Sequence, residues 1–464
     1  MGAGYAYTVN SVIGAGFLSV PWAFQRAGWL LSLCMQTLFL AVGWLLSNQL
    51  LEITSRVEAL KQSEEQGMPI SPISLPQVLR HGLTLRPEQP SLLPCPAPVL
   101  SDTRQYDLSD IVKLLMGSYW SLIYLTCISL FLAGTLAAYI NIFGTAFGSN
   151  LPLLDYCDYR EEYISQKCWY QYWVYLTLFL VLMVYFTCKE FSEQIWMQLV
   201  MTCMRVVVMS SIIVTCLLSI IGQYNMTNDR EYRAASPDLQ NWRTIGETFP
   251  IFLFAGIYQT QYPGILSAIR KEKTVLKSTL SLVTATLLLF YSCMGLAAAF
   301  AIPNLPSNVS LAFQHYSAGQ REQPDWAKGL GILVMLFPAI DVISIFPIIG
   351  HAISDNVMSL LYGEDREGLH HRQPKAYYGL RIACILPSFV YAFLQVQFGD
   401  IVANSGLFCF YLTFFMIPLL HIAGKKLVPV PSSYDVKRNP VSLSALISIL
   451  SVPLLAFNLY TLFS

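Results

Sequence analysis

Of 464 residues, 55 % are hydrophobic and 12 % charged, and mean hydropathy is positive. That is too apolar for one or two soluble domains and specifies a polytopic helical membrane protein. The 28 basic and 28 acidic residues cancel, and no basic patch interleaved with aromatics is present, which excludes nucleic acid as a partner.

Eleven apolar runs of spanning length follow along the chain: Tyr5–Phe24, Trp29–Ile53, Ile111–Phe147, Trp169–Cys188, Ile195–Ile221, Thr248–Ile269, Val275–Ile302, Trp326–Leu361, Tyr378–Val396, Ile401–Ile422 and Val441–Phe463. The expected fold class is therefore all-α, with eleven transmembrane helices. The first run has no basic flank, so it reads as a span that directs its own insertion and not as a cleavable signal. Met1-Gly2 opens a myristoylation-like string that Ala6 disqualifies.

Asn10, Gly14, Ala15, Gly16 and Pro21 interrupt that first run. Irregular backbone at membrane depth is tolerated only where it is buried in protein or lines a polar cavity. Ile13, Gly14, Ala15 and Gly16 are thus candidate substrate contacts, their amides suited to a carboxylate and their carbonyls to an amine or cation. The competing role for the glycines is close helix packing. On the binding reading, Gly16→Leu should remove substrate binding more than folding.

Between the second and third runs lies a stretch rich in proline from Pro69 to Pro98, which reads as a disordered cytoplasmic loop over 54–110. Of the cysteines, only Cys157 and Cys168 fall in an outer loop, where they are expected to form a disulfide; the others read as packing residues, without metal-ligand spacing. Arg205 stands near mid-membrane in the fifth run, where an unpaired arginine costs about 3 kcal/mol or more. Asp341 in the eighth run lies at matching depth and is its expected partner, the titratable member of the pair. Ser344 is one helical turn beyond.

The sixth run is broken as well: Gly256 and Gln259-Thr-Gln261 sit between Pro250 and Pro263. Phe254, Gly256, Tyr258, Gln259 and Gln261 are its candidate pocket residues, although their side chains cannot all face one way. Glu190, Glu193, His351 and Asp355 lie nearer helix ends and read as solvated or gate residues. Breaks in the first and sixth helices point to two inverted five-helix halves with an eleventh helix appended. The organisation is then 1–53 (helices one and two), 54–110 (the loop), 111–221 (completing the first repeat), 222–422 (the second repeat) and 423–464 (helix eleven). Basic residues such as Arg270, Lys271, Lys273, Lys425 and Lys426 gather on one side, which places the amino terminus inside. The sequons Asn225-Met-Thr227 and Asn308-Val-Ser310 fall on the opposite, outer or lumenal side, as expected glycosylation sites.

The segment Asn10-Ser-Val-Ile-Gly-Ala-Gly-Phe-Leu-Ser-Val-Pro-Trp-Ala-Phe-Gln-Arg-Ala-Gly-Trp29 resembles the first-helix signature of the amino acid/auxin permease family, and Phe346-Pro-Ile-Ile349 echoes a second patch of it. Cys168-Trp169, Arg205 and the Gly14-Ala-Gly16 context liken the chain to an orphan animal branch of that family. The resemblance implies a LeuT-like fold, a 5+5 inverted repeat plus one, carrying amino acids with sodium or protons. Asn10 matches in position an asparagine that is a sodium ligand in sodium-coupled members; an interhelical hydrogen bond, worth about 1 kcal/mol, is the competing role. Helices five and eight flank the sodium site of that fold, so the Arg205 guanidinium would stand where the ion sits, which would favour proton coupling; a static structural salt bridge is the competing role. Ser344 is the assigned ligand if sodium binds.

The expected function is secondary active transport of amino acids or related zwitterions, with a nutrient sensor of the same fold as the alternative. No phosphate loop, metalloprotease motif or Ser-His-Asp set suggests an enzyme. No cofactor or structural metal is expected beyond a coupling H+ or Na+. The expected location is the plasma membrane or a lysosomal or endosomal membrane.

Overall fold

A computed structural model describes the chain apart from residues 1–4, 6–8, 10–12, 67–71, 84–97, 99, 101–106, 160–163, 189–194, 224–225, 227–234, 260–272, 321, 363–368, 395–396, 433, 436–440 and 464. Among the described residues every regular element is helical. A bend at Ile13 and Gly14 and a 3-10 turn, Ala15–Leu18, lead into α1 (Val20–Ala27), where Pro21 occupies the first turn and its missing N–H is no loss. Gly28, at φ +91°, reverses the chain into α2 (Trp29–Glu65). Helices α3 (Leu75–Leu83), α4 (Leu108–Met116), α5 (Ser118–Asn150), α6 (Gln166–Thr187) and α7 (Ile195–Gly222) follow. After them come α8 (Ile245–Gly256), α9 (Lys273–Ala301), α10 (Asp325–Tyr362), α11 (Leu369–Arg372) and α12 (Pro374–Leu394). The last stretch is α13 (Phe398–Phe410), a π-helical turn (Tyr411–Met416), α14 (Ile417–Leu427) and α15 (Val441–Phe463).

Eight of these helices, among the described residues, are long and apolar enough to cross a bilayer, counting α13 to α14 as one. Their burial pattern is that of a lipid-immersed bundle. Leu178, Val181, Val207, Val214 and Ile221 face outward, whereas Gln171, Arg205, Thr215 and Ser219 on the same helices are buried. The chain is an integral membrane protein. α10 packs along α5, α13 packs on α8 and α5, and α9 covers α1, α2 and α7, so the two broken segments lie inside the bundle.

Several expectations change. The third run is not one span: Gly117, at φ +94°, ends α4 and starts α5. The stretch read as a disordered loop over 54–110 is ordered at both ends, because α2 continues to Glu65 and α4 begins at Leu108. The reason is a buried polar cluster that hydropathy scored as solvent-facing. Arg56 on α2 donates to Glu52 at 3.1 Å, to Asp435 at 2.9 Å and to the Val430 carbonyl at 3.0 Å. His421 and Lys425 of α14 stand 3.2 and 3.1 Å from the same Glu52 oxygen. Pairing at this density is what lets charges be buried. Burial lifts the Asp435 carboxyl above its ordinary value, against the pull of Arg56.

Cys157 and Cys168 form the expected disulfide, with Cα atoms 5.5 Å apart. The Asn308 sequon is a correction. Its side chain is 1 % exposed and its carbonyl oxygen caps a 3-10 turn, Val309–Phe313, by accepting from Ser310 N–H at 3.1 Å and Ser310 Oγ at 2.7 Å. A glycan on that amide has no room. Asn225, Asn10, Gln261, Pro263, Glu190 and Glu193 lie outside the described residues.

Candidate functional site

The two charges that depth alone paired are in contact. Arg205 Nε donates to Asp341 Oδ2 at 3.0 Å, its second guanidinium nitrogen reaches the same oxygen, and its third donates to the Ile13 carbonyl at the first-helix break. The pair is almost wholly enclosed, with side-chain exposures of 1 % for Arg205 and 9 % for Asp341. One guanidinium thus joins α7, α10 and the irregular backbone before α1.

Around it hydrogen-bonding capacity is unspent. Asp341 Oδ1 is buried without a partner, and so is the hydroxyl of Tyr291 on α9, which lies within electrostatic reach of Arg205 and of Tyr139 on α5. Each such atom costs about 1–3 kcal/mol when left unsatisfied, so the surroundings favour a polar occupant or a proton. Ser344 is buried one turn away, and its hydroxyl donates to the Asp341 carbonyl at 2.7 Å. The Ile13 carbonyl and Asp341 Oδ2 both accept from the guanidinium, which leaves Asp341 Oδ1 as the open oxygen of the pair.

At the break itself the backbone is only partly available. Gly16 C=O accepts from Ser19 N–H at 3.2 Å and Ser19 Oγ at 3.0 Å, while Ile13 N–H donates to Val9 C=O at 2.9 Å. Gly14 is extended, at φ −81° and ψ −154°, and opens the 3-10 turn that contains Ala15. Gly16 faces the second broken segment and not a cavity: a Cβ there would meet Ala255 Cα at 2.7 Å and the Phe254 ring at 3.0 Å. The expectation that Gly16→Leu spares folding is therefore corrected; the glycine is needed for backbone approach.

The α8 break is tied down in the same manner. Tyr258 is buried, with its hydroxyl 3.0 Å from Thr284 Oγ1 on α9. Gln259 donates to the Gly43 carbonyl at 2.9 Å and to Ser47 Oγ at 3.1 Å on α2. Both candidates anchor the break to its neighbours. Phe254 is buried edge-on to Phe131 of α5 at 5.8 Å, beside Gly16. Gly256 and Gln259 line a small cavity of about 10 Å³ that also touches Thr413 of the π-helical turn, room for about one water molecule.

His351 Nε2 is 2.8 Å from the Thr187 carbonyl at the end of α6 and 3.3 Å from Arg381. Asp355 is exposed on the same helix. The structure brings together Arg205 and Asp341, which the sequence paired, with Ser344 one turn on, adds the Ile13 carbonyl to them, and sets Gly16 against Phe254. It missed Tyr291 and Tyr139, which read as ordinary aromatic span residues; a tyrosine hydroxyl at the depth of a buried charge was the available signal.

Residues 1–67 match the family described as transmembrane amino acid transporter protein. Two animal chains named transmembrane protein 104 are similar over most of their length. That of Homo sapiens is 23 % identical over 403 residues and that of Gallus gallus 22 % identical over 388, in each case 78 % of this chain and 75 % of theirs. A homolog of the same name from Drosophila melanogaster is 21 % identical over 518 residues, 99 % of this chain and 96 % of that one. A structure of the Eremococcus coleocola manganese transporter, in complex with an aromatic bis-isothiourea substituted compound, aligns with 99 % of this chain and 94 % of its own at 12 % identity and a TM-score of 0.42.

Proposed function

We propose that this chain, which carries the amino-terminal signature of the transmembrane amino acid transporters, moves amino acids or related small zwitterions by secondary active, proton-coupled alternating access. Its eleven crossings would form two inverted five-helix halves and an appended helix, with the first and sixth helices broken at the site. One observation carries the reading: the buried Arg205 guanidinium that joins Asp341 to the Ile13 carbonyl of the first-helix break. While Asp341 is anionic, this bridge holds the broken segment against α7 and α10. A proton on Asp341 removes the charge that fixes the guanidinium, and the break can then move as the bundle rocks. A guanidinium in the space between Ile13 and Asp341 disfavours sodium there.

Accumulation of a mixture of labelled amino acids against their gradient in sealed proteoliposomes tests the reading. Uptake that exceeds equilibration and is lost in Asp341→Asn is expected. Saturable binding in detergent without accumulation would make the chain a sensor, and neither binding nor uptake of any of the common amino acids would refute an amino acid cargo.

A further inference from the structure

The helix α6 starts beside the disulfide and runs 22 residues to Thr187. That is about 33 Å, a full crossing, so Thr187 marks the opposite membrane face. Three helices meet there: α6 through Thr187, α10 through His351 and the first half of α12 through Arg381. They are closely packed, since a Cβ on Gly350 of α10 would stand 3.3 Å from Ile385 of α12 and 3.5 Å from Thr187.

The junction encloses an arginine without a carboxylate. Arg381 is 5 % exposed, and its hydrogen-bond contacts run through one terminal nitrogen, Nη1, to the Thr187 carbonyl at 3.4 Å and to His351 Nε2 at 3.3 Å. Both are long, and His351 Nε2 itself stands 2.8 Å from the same carbonyl. Arg381 Nε is buried with no partner. The other buried arginines among the described residues each hold a carboxylate, Arg56 that of Glu52 and Arg205 that of Asp341, whereas Arg381 makes no ion pair among them. Asp355, one turn along α10 from His351, is exposed and has a partner of its own. Nε is half of the fork with which a guanidinium grips a phosphate or carboxylate by two parallel bonds, so the unspent donors of Arg381 favour an oxyanion.

The surroundings indicate its source. Long side chains on a helix turn back toward its start, and the Arg381 guanidinium accordingly lies 4.3 Å from the Tyr377 ring centroid, one turn nearer the membrane surface. Arg372, which ends α11, and Lys375, in the first turn of α12, are exposed there and make no ion pair among the described residues. The flanking surface faces lipid: Leu386 and Val390 on α12, Tyr185 on α6 and Leu361 on α10 are all exposed. Cations beside a tyrosine at a helix end, bordered by lipid-facing side chains, lie at headgroup depth. On the topology expected from the basic loops this is the inner leaflet, where anionic lipids concentrate.

We propose that the junction of α6, α10 and α12 binds the headgroup of an anionic phospholipid. Arg381 is the buried anchor of the phosphate, Lys375 and Arg372 are its outer cations, and Tyr377 packs beside it. The site makes no use of the Arg205–Asp341 pair and is independent of the transport reading.

Native mass spectrometry of the full-length protein in one detergent, titrated with phosphatidylserine or with phosphatidylcholine of the same acyl chains, tests the site. The first phosphatidylserine should bind at least about tenfold more tightly than phosphatidylcholine, and Lys375→Gln or Arg372→Gln should each reduce that preference about fivefold, the effect of one surface cation, with an unchanged melting curve. Arg381→Gln should abolish the preference, and Arg381→Lys, which keeps the charge without the fork, should retain part of it. Lys426→Gln, at the end of α14 and outside the site, should leave it unchanged. Equal binding of the two lipids by the wild-type protein overturns the proposal. So does a loss in Lys426→Gln equal to that in Lys375→Gln, because the attraction then belongs to the whole basic face. An undiminished preference in Lys375→Gln and Arg372→Gln overturns it even if Arg381→Gln does not fold. Displacement of phosphatidylserine by millimolar inorganic phosphate overturns the lipid as the source of the anion.

Discussion

Replacing Arg205 with Met leaves the Asp341 carboxylate buried with neither of its guanidinium bonds, and Asp341→Leu leaves Arg205 with the Ile13 carbonyl alone. With side-chain exposures of 1 % and 9 %, neither charge can be rehydrated without opening the bundle. Breaking a buried pair from one side costs about 3–5 kcal/mol, whereas exchanging both members for apolar residues of similar volume is often neutral or stabilising. Each single variant should therefore lose about 3–5 kcal/mol, and Arg205→Met with Asp341→Leu should fall within about 1–2 kcal/mol of the parent. Denaturant unfolding of the four proteins in one detergent, followed by tryptophan fluorescence, completes the cycle. The coupling energy should exceed about 3 kcal/mol, far above the 0.3–0.5 kcal/mol scatter of independent sites. Additive losses would refute the pair as a unit. A double variant that accumulates substrate with an unaltered pH profile would instead refute its part in coupling.

Gly28→Ala forces φ +91° on a residue with a side chain and sets its Cβ 2.7 Å from Gln240 Cα, so a loss of about 1–3 kcal/mol is expected in the same unfolding assay. Gly16→Ala should likewise destabilise, by about 1–3 kcal/mol, through the Ala255 contact, and uptake at normal stability would show that the broken segments can separate freely. Asn308→Gln should leave electrophoretic mobility unchanged with and without glycosidase, because that amide is buried, and cost about 1 kcal/mol through the lost cap. Glu52→Gln removes the anion shared by Arg56, His421 and Lys425 and should cost about 3–5 kcal/mol, whereas Asp435→Asn, at 31 % side-chain exposure, should cost under about 1 kcal/mol. Since the folded Asp435 carboxyl lies above its ordinary value, its contribution is present at low pH and lost as pH rises from that ordinary value through the folded one, so the Asp435→Asn penalty should shrink or change sign across that window and stay constant above it.

The features legible in the sequence share one cause: a membrane penalises charge and broken backbone steeply, so Arg205, Asp341 and the interruptions at Gly14 and Gly256 stand out against their surroundings. Depth counting at a fixed rise per residue then sufficed to pair Arg205 with Asp341. The cysteine pair was legible because only two cysteines shared one loop. What was not legible is direction within a contact. Gly16 turns to Ala255, while Tyr258 and Gln259 turn to α9 and α2, and nothing in residue type distinguishes a side chain that lines a pocket from one that anchors a break. Arg56 reads in the sequence as the start of a solvated linker because hydropathy treats a mutually paired charge like an exposed one; its partners beyond α14, and those of Glu52 on α14, lie more than 360 residues away. Asn308 shows the same limit at small scale, since its sequon is also a helix-capping pattern.

The central claim, that a proton on Asp341 and not a sodium ion drives the carrier, is tested most directly by imposing each gradient separately on proteoliposomes of the wild-type protein. Labelled amino acids should accumulate under a proton gradient in sodium-free buffer, collapse with a protonophore, and fail to accumulate in Asp341→Asn. Accumulation that requires sodium and is indifferent to the protonophore would contradict it.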